Sequence, residues 1–148
     1  MLEAFSFTPF YTKYVDLPTI DNMPSLFFKD NPKMWPFFQH ALGAIDGCHI
    51  PYYPPASERE LYRNRKGWCS QNCLFACSFS LSFIYGLTGW EGSTSDARVF
   101  EDAILNDLHI PGGHYLLADA GFLNCKELMI PYSGKRYHLK EWERAKLR

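Results

Sequence analysis

Two aspartates hold the best positions for chemistry in this 148-residue chain. Asp46 stands in Gly43-Ala-Ile-Asp-Gly-Cys-His-Ile50, and Asp119 in Tyr115-Leu-Leu-Ala-Asp-Ala-Gly-Phe122. Each lies on or just past a short apolar run, and a glycine follows closely, Gly47 in one case and Gly121 in the other. Such a run reads as a buried strand, where a carboxylate is unfavourable unless it is paired or holds a cation. Two carboxylates far apart in sequence and both at strand level suit a divalent cation, which takes hard oxygen ligands. The plainer reading of each is a solvated turn residue.

The elements that would position them can be read along the chain. Trp35 to Leu42 reads as a short helix, and a first strand follows from about Ala44 to Tyr53, ended by Pro54 and Pro55. Ser57 with Glu60 is a capping-box spacing, which places a short helix over Glu58 to Arg63. From Gln71 to Tyr85 side-chain character alternates with period two, too long for one ordinary strand. A hairpin turning near Ser78 to Ser82 is expected. Ser93 and Asp96 form a second capping-box spacing, and Val99, Phe100, Ala103 and Ile104 recur at helical spacing behind them. Pro111-Gly-Gly113 turns the chain into a strand from His114 to Asp119, and Asn124 with Glu127 opens another short helix before Pro131. The order is strand, strand, strand, helix, strand, helix. It predicts an RNase H-like α/β domain, a mixed sheet with flanking helices. In that fold the first carboxylate is on the first strand and the second at the end of the fourth.

Bulk composition narrows the class. Hydrophobic residues at 47% and aromatics at 17% exclude disorder as the default. The net charge of −1 hides an asymmetry: residues 131–148 carry six Lys/Arg against two Glu, residues 1–130 nine against fourteen Asp/Glu. The basic end could meet a polyanion. No stretch reads as a membrane span or a signal peptide. Five cysteines without a signal peptide predict free thiols in a reducing compartment. Cys69, Cys73 and Cys77 with His49 invite a zinc reading, but their spacing is wrong for a Cys-x₂-Cys knuckle, and core packing is the stronger reading.

The motifs occur in one order: Gly43 to Ile50, Asn64-Arg-Lys-Gly67 with Ser70-Gln-Asn72, Gly89-Trp-Glu-Gly-Ser93 with Ser95-Asp-Ala-Arg-Val99, Asp119-Ala-Gly-Phe122, and Pro131-Tyr-Ser-Gly-Lys-Arg-Tyr-His-Leu139. Together they resemble the DDE endonuclease domain of PIF/Harbinger-type transposases and their domesticated nuclease relatives, over roughly residues 30–142. The resemblance implies metal-dependent DNA cleavage and strand transfer in the nucleus. Asp46 and Asp119 would be catalytic metal ligands, with Mg²⁺ or Mn²⁺ as cofactor. It also implies DNA as partner and a Myb-like DNA-binding protein as a second one. The family's third catalytic residue is a glutamate on a late helix, downstream of Arg148. The expectation is therefore a lead-in segment over residues 1–34 and a partial nuclease domain, truncated at its C-terminal end, over residues 35–148. The alternative is a catalytically inactive relative that binds DNA or protein. Cys48 stands where the family usually has threonine.

The remaining residues carry two readings each. Asp96 is either a helix cap or an auxiliary metal ligand. His49 is either near phosphate or a hydrogen-bonded structural histidine. Arg63, Arg65, Lys66, Lys135, Arg136, His138 and Lys140 are candidate phosphate contacts, and Trp68 and Tyr137 candidate stacking platforms; a solvated basic surface is the plain alternative. A salt bridge is the default for Arg98.

Overall fold

Alternating apolar positions and two turn-rich breaks build a five-stranded sheet with one substantial helix on it. The computed structural model describes residues 26–132. Its elements are α1 (Leu26–Lys29), β1 (Ala41–Pro51), α2 (Arg59–Tyr62), β2 (Ser70–Cys77), β3 (Phe83–Glu91), α3 (Asp96–Asn106), β4 (Tyr115–Leu117) and β5 (Leu128–Met129). The strand order is β3-β2-β1-β4-β5. β1, β2 and β3 form an antiparallel meander, while β4 pairs parallel with β1 and β5 parallel with β4. This is the mixed α/β sheet of an RNase H-like domain.

The hairpin forms where the alternation demanded it. Residues 78–82 make the turn, with Ser78 N–H donating to the Ser82 carbonyl at 2.9 Å and Leu81 at a φ of 63°. Burial on β2 follows the alternation, with Ser70, Asn72, Leu74 and Ala76 buried and Gln71, Phe75 and Cys77 half-buried. Leu74 and Ala76 are fully buried, and so is Cys73 on the other face. Cys73 is the fully buried position of that second face, while Phe75 and Cys77 beside it stay half-buried, so of the cysteines read as core only Cys73 is one.

The core lies between the sheet and α3. Val99, Phe100 and Ala103 pack there with Ile45, Leu74, Ala76 and Leu116. Leu74 is 0% exposed at its centre. Leu74→Ala should remove about 2–5 kcal/mol of stability through lost burial and the cavity left behind. A urea midpoint unchanged by that substitution would contradict this core.

Several sequence expectations are corrected. Trp35 to Leu42 is not a helix: residues 32–40 are turns, Pro36 lacks a donor, and Ala41 and Leu42 belong to β1. β1 therefore starts and ends earlier than expected, at Ala41 and Pro51. The helix at Glu58 to Arg63 shrinks to Arg59–Tyr62, with Glu58 as N-cap and no side-chain cap bond. Asn124 and Glu127 open no helix. The chain there becomes β5, because the outer edge of β4 takes its backbone bonds: Leu116 N–H donates to the Glu127 carbonyl at 2.9 Å and Ala118 N–H to Met129 at 3.1 Å. An open strand edge outbids a short isolated helix, whose nucleation is unfavourable.

Candidate active site

Register brings the two aspartates together. Ala44 on β1 is the parallel partner of Leu117 on β4. Asp46 and Asp119 lie two residues beyond that pair, one on each chain. Asp119 lies just past the end of β4, and its charge acts on the Asp46 carboxyl, so the two groups are neighbours. The two carboxylates therefore lie near one another where β4 ends and the neighbouring edge of β1 opens.

Each carboxylate is anchored by the glycine that follows it. Gly47 N–H donates to Asp46 Oδ1 and Gly121 N–H to Asp119 Oδ1, both at 2.8 Å. Both residues are exposed, and neither has a Lys or Arg partner among the described residues. Partial burial pushes the Asp46 carboxyl above the ordinary carboxylate value. The Gly47 amide opposes that shift, while the nearby charges of Asp119 and Asp96 add to it.

Asp96 reaches this place from α3. Ser95, not Ser93, is the N-cap, and its side chain accepts from Arg98 N–H at 3.4 Å. Ser93 and Thr94 are held in the preceding turn by bonds from their own N–H groups to the carbonyls of Leu61 and Glu91, so the helix starts after them. Asp96 is thus the first helical residue, where a negative charge suits the helix dipole. Its Oδ1 accepts from Asn72 Nδ2 at 2.9 Å, and the same amide nitrogen donates to the Thr94 carbonyl at 2.9 Å. Asn72 is 1% exposed, and its Oδ1 has no hydrogen-bond partner among the described residues. Gly47 makes the approach possible: a Cβ there would fall within the Asp96 carboxylate.

Sequence reasoning missed Asn72 as the residue that holds Asp96. The available signal was an amide on a strand otherwise filled with apolar, cysteine and serine side chains. Gly47 was noticed beside Asp46, but its spatial role toward Asp96 is visible only in three dimensions.

The other candidates divide. His49 Nδ1 is 3.0 Å from Ser70 Oγ, which also accepts from Asn64 Nδ2 at 3.0 Å, so this histidine is hydrogen-bonded into the fold. Arg98 pairs with Glu101 at 3.1 Å. Arg63, Arg65 and Lys66 are exposed near Trp68, away from the carboxylates along β1. Lys135, Arg136, Tyr137, His138 and Lys140 lie outside the described residues. All five cysteines are free, and no group of three or more His, Cys, Asp or Glu among the described residues forms a ready-made metal cage. The zinc reading therefore has no cluster to support it.

The donor chemistry still fits a hard divalent cation. Asp46 has the carboxylates of Asp119 and Asp96 close enough for their charges to act on it, with no Lys or Arg partner among the described residues, and burial first, then those charges, raises its carboxyl.

A mixed sheet in the order β3-β2-β1-β4-β5, with acidic residues where β4 ends beside β1, has the architecture of an RNase H-like α/β domain. The family model for the DDE superfamily endonuclease matches residues 45–147. The chain belongs to that superfamily, whose members generally use divalent metals and act on DNA. No curated protein shows a significant match to the chain. No solved structure does either.

Proposed function

We propose that this chain is the catalytic part of a PIF/Harbinger-type, transposase-derived DNA endonuclease that works in the nucleus with Mg²⁺ or Mn²⁺. The observation that carries the reading is the register that sets Asp46 beside Asp119, within a chain that belongs to the DDE superfamily. Asp46 and Asp119 would hold the cations, with Asp96 as an auxiliary ligand steadied by Asn72. Bound divalent cations supply an activated oxygen nucleophile and neutralise the leaving oxygen of a phosphodiester. The chain's own groups prepare this place. The Gly47 and Gly121 amides fix one oxygen of each carboxylate, and the Asn72 amide keeps Asp96 from turning away.

Arg63, Arg65 and Lys66 would contact phosphates of the bound DNA, together with Lys135, Arg136, His138 and Lys140. A helical glutamate downstream would complete the ligand set, residues 1–34 would lead into the catalytic domain, and a Myb-like protein would bring the target DNA.

The test is nicking of supercoiled plasmid by the longest polypeptide that carries this chain. Cutting should require Mg²⁺ or Mn²⁺ and stop in EDTA. Cutting that persists in EDTA would overturn the proposal. DNA retention without any cutting in either metal would favour the inactive, DNA-binding relative instead.

A further inference from the structure

β1 continues for five residues past Asp46, and β4 does not accompany it. At about 3.4 Å per residue this is ~17 Å of strand. It ends at an open cavity of about 460 Å³ lined by Pro51, Tyr52, Tyr53, Arg59, Arg63 and Trp68. That volume lies in the range of about 300–1,000 Å³ typical of small-ligand sites.

The lining combines two chemistries. Tyr53 is 95% exposed, and its ring has no aromatic or hydrogen-bond partner among the described residues. Pro54 follows it and restricts its backbone to extended conformations, so the ring is presented on a stiff stem. Trp68 is 37% exposed across the same cavity. The Arg59 guanidinium has no carboxylate partner among the described residues. Arg63 is shared between Glu60 at 3.3 Å and the Gly67 carbonyl at 3.1 Å, in a solvent-exposed pair that binds weakly. Flat apolar rings beside arginine suit a ligand with a π face and a negative charge, which is a nucleotide. A base shows its face only when it is out of the stack, so the fitting substrate is single-stranded or locally opened.

We propose that this cavity holds one unstacked nucleotide of the DNA strand that flanks the cleavage point, with the base on Tyr53 and Trp68 and the phosphate on Arg59. The assignment of the polymer as DNA rests on the nuclease reading above. The distance to Asp46 corresponds to about five stacked nucleotides at ~3.4 Å each.

The experiment is fluorescence anisotropy with the full chain in EDTA at low salt. The probes are a labelled oligothymidylate and an abasic oligomer of the same length. The wild-type chain should bind the base-bearing strand more tightly than the abasic one. Tyr53→Ala should weaken oligothymidylate binding by about 5- to 150-fold and leave the melting temperature unchanged. Arg59→Gln should reduce the salt dependence by about one phosphate contact. Equal affinity for the two strands, wild-type affinity in Tyr53→Ala, or no binding by the wild-type chain would each overturn the proposal. Because EDTA removes the chemistry, the two readings fail separately. Binding that depends on Tyr53 in a protein that never cuts would sink only the nuclease reading. Metal-dependent cutting by a protein whose binding ignores Tyr53 would sink only the pocket.

Discussion

Asp46→Asn, in the longest polypeptide that carries this chain, should lower metal-dependent DNA cleavage by about 10²- to 10³-fold, or about 3–4 kcal/mol of barrier. Asp119→Asn should do the same. An amide keeps the shape of the carboxylate but not the charge that holds a cation, and its NH₂ face repels one. The two losses should not multiply in the double variant, because in the proposed mechanism both residues would serve one ligand set and removing either would empty it. Plasmid nicking rates in Mg²⁺ and Mn²⁺ measure the effect, and undiminished cutting by either single variant would exclude the assignment.

The same substitution has an opposite effect on stability in the absence of metal. The Asp46 carboxyl is raised above its ordinary value of 3.8 by burial and by its acidic neighbours. The folded state therefore binds this proton more tightly than the unfolded chain does. Stability from this group is greatest below the unfolded value and is lost as pH rises through the folded one. At neutral pH in EDTA the ionised Asp46 thus works against the fold, and Asp46→Asn should melt higher than the wild type. A lower melting temperature for the variant would mean that this carboxylate has a stabilising partner.

The second large effect separates two glycines of one motif. A Cβ on Gly43 would run into the Cys77 backbone carbonyl on the paired strand, with the Ile84 side chain at 3.3 Å. Backbone in the middle of a sheet cannot step aside, so Gly43→Ala should destabilise the domain by about 1–3 kcal/mol or more. A Cβ on Gly47 meets the Asp96 side chain first, and no backbone atom is nearer. Asp96 can rotate off the strand at the loss of its Asn72 bond, a smaller effect of about 1 kcal/mol. The functional outcome is reversed in weight. Gly43→Ala should retain cleavage per folded molecule, whereas Gly47→Ala should lower it by displacing Asp96 from the site. Chemical denaturation and cleavage rates on the two variants measure both. Equal stability losses, or full activity in Gly47→Ala, would remove Asp96 from the site and leave it as the first residue of a helix.

Much of this was legible in the chain because the signals are local. The period-two run from Gln71 to Tyr85 demanded a hairpin, and the turn formed within residues 78–82 without a glycine or proline to mark it. Helical spacing of Val99, Phe100 and Ala103 placed α3 and its buried face correctly. The errors lie where two local options compete. Ser93 and Ser95 are both good caps, and only the turn bonds to Leu61 and Glu91 decide between them. Residues 124–129 could have started a helix, but β4 needed a partner on its outer edge. Cap strength and helix propensity are each worth about 1 kcal/mol or less, so a single tertiary bond reverses the choice.

The amino-acid sequence alone determined the class of sheet and the order of its first four strands, and it singled out Asp46 and Asp119 as candidates, because hydrophobic period and ordered motifs are properties of the chain itself. Only the tertiary structure decided that Asp46 comes near Asp119, that Asp96 packs over Gly47, and that Asn72 holds it there. Those facts depend on strand register and on the close approach of a helix to a glycine. Both are contacts between segments distant along the chain, such as Ala44 with Leu117 and Gly47 with Asp96, and no local pattern encodes them.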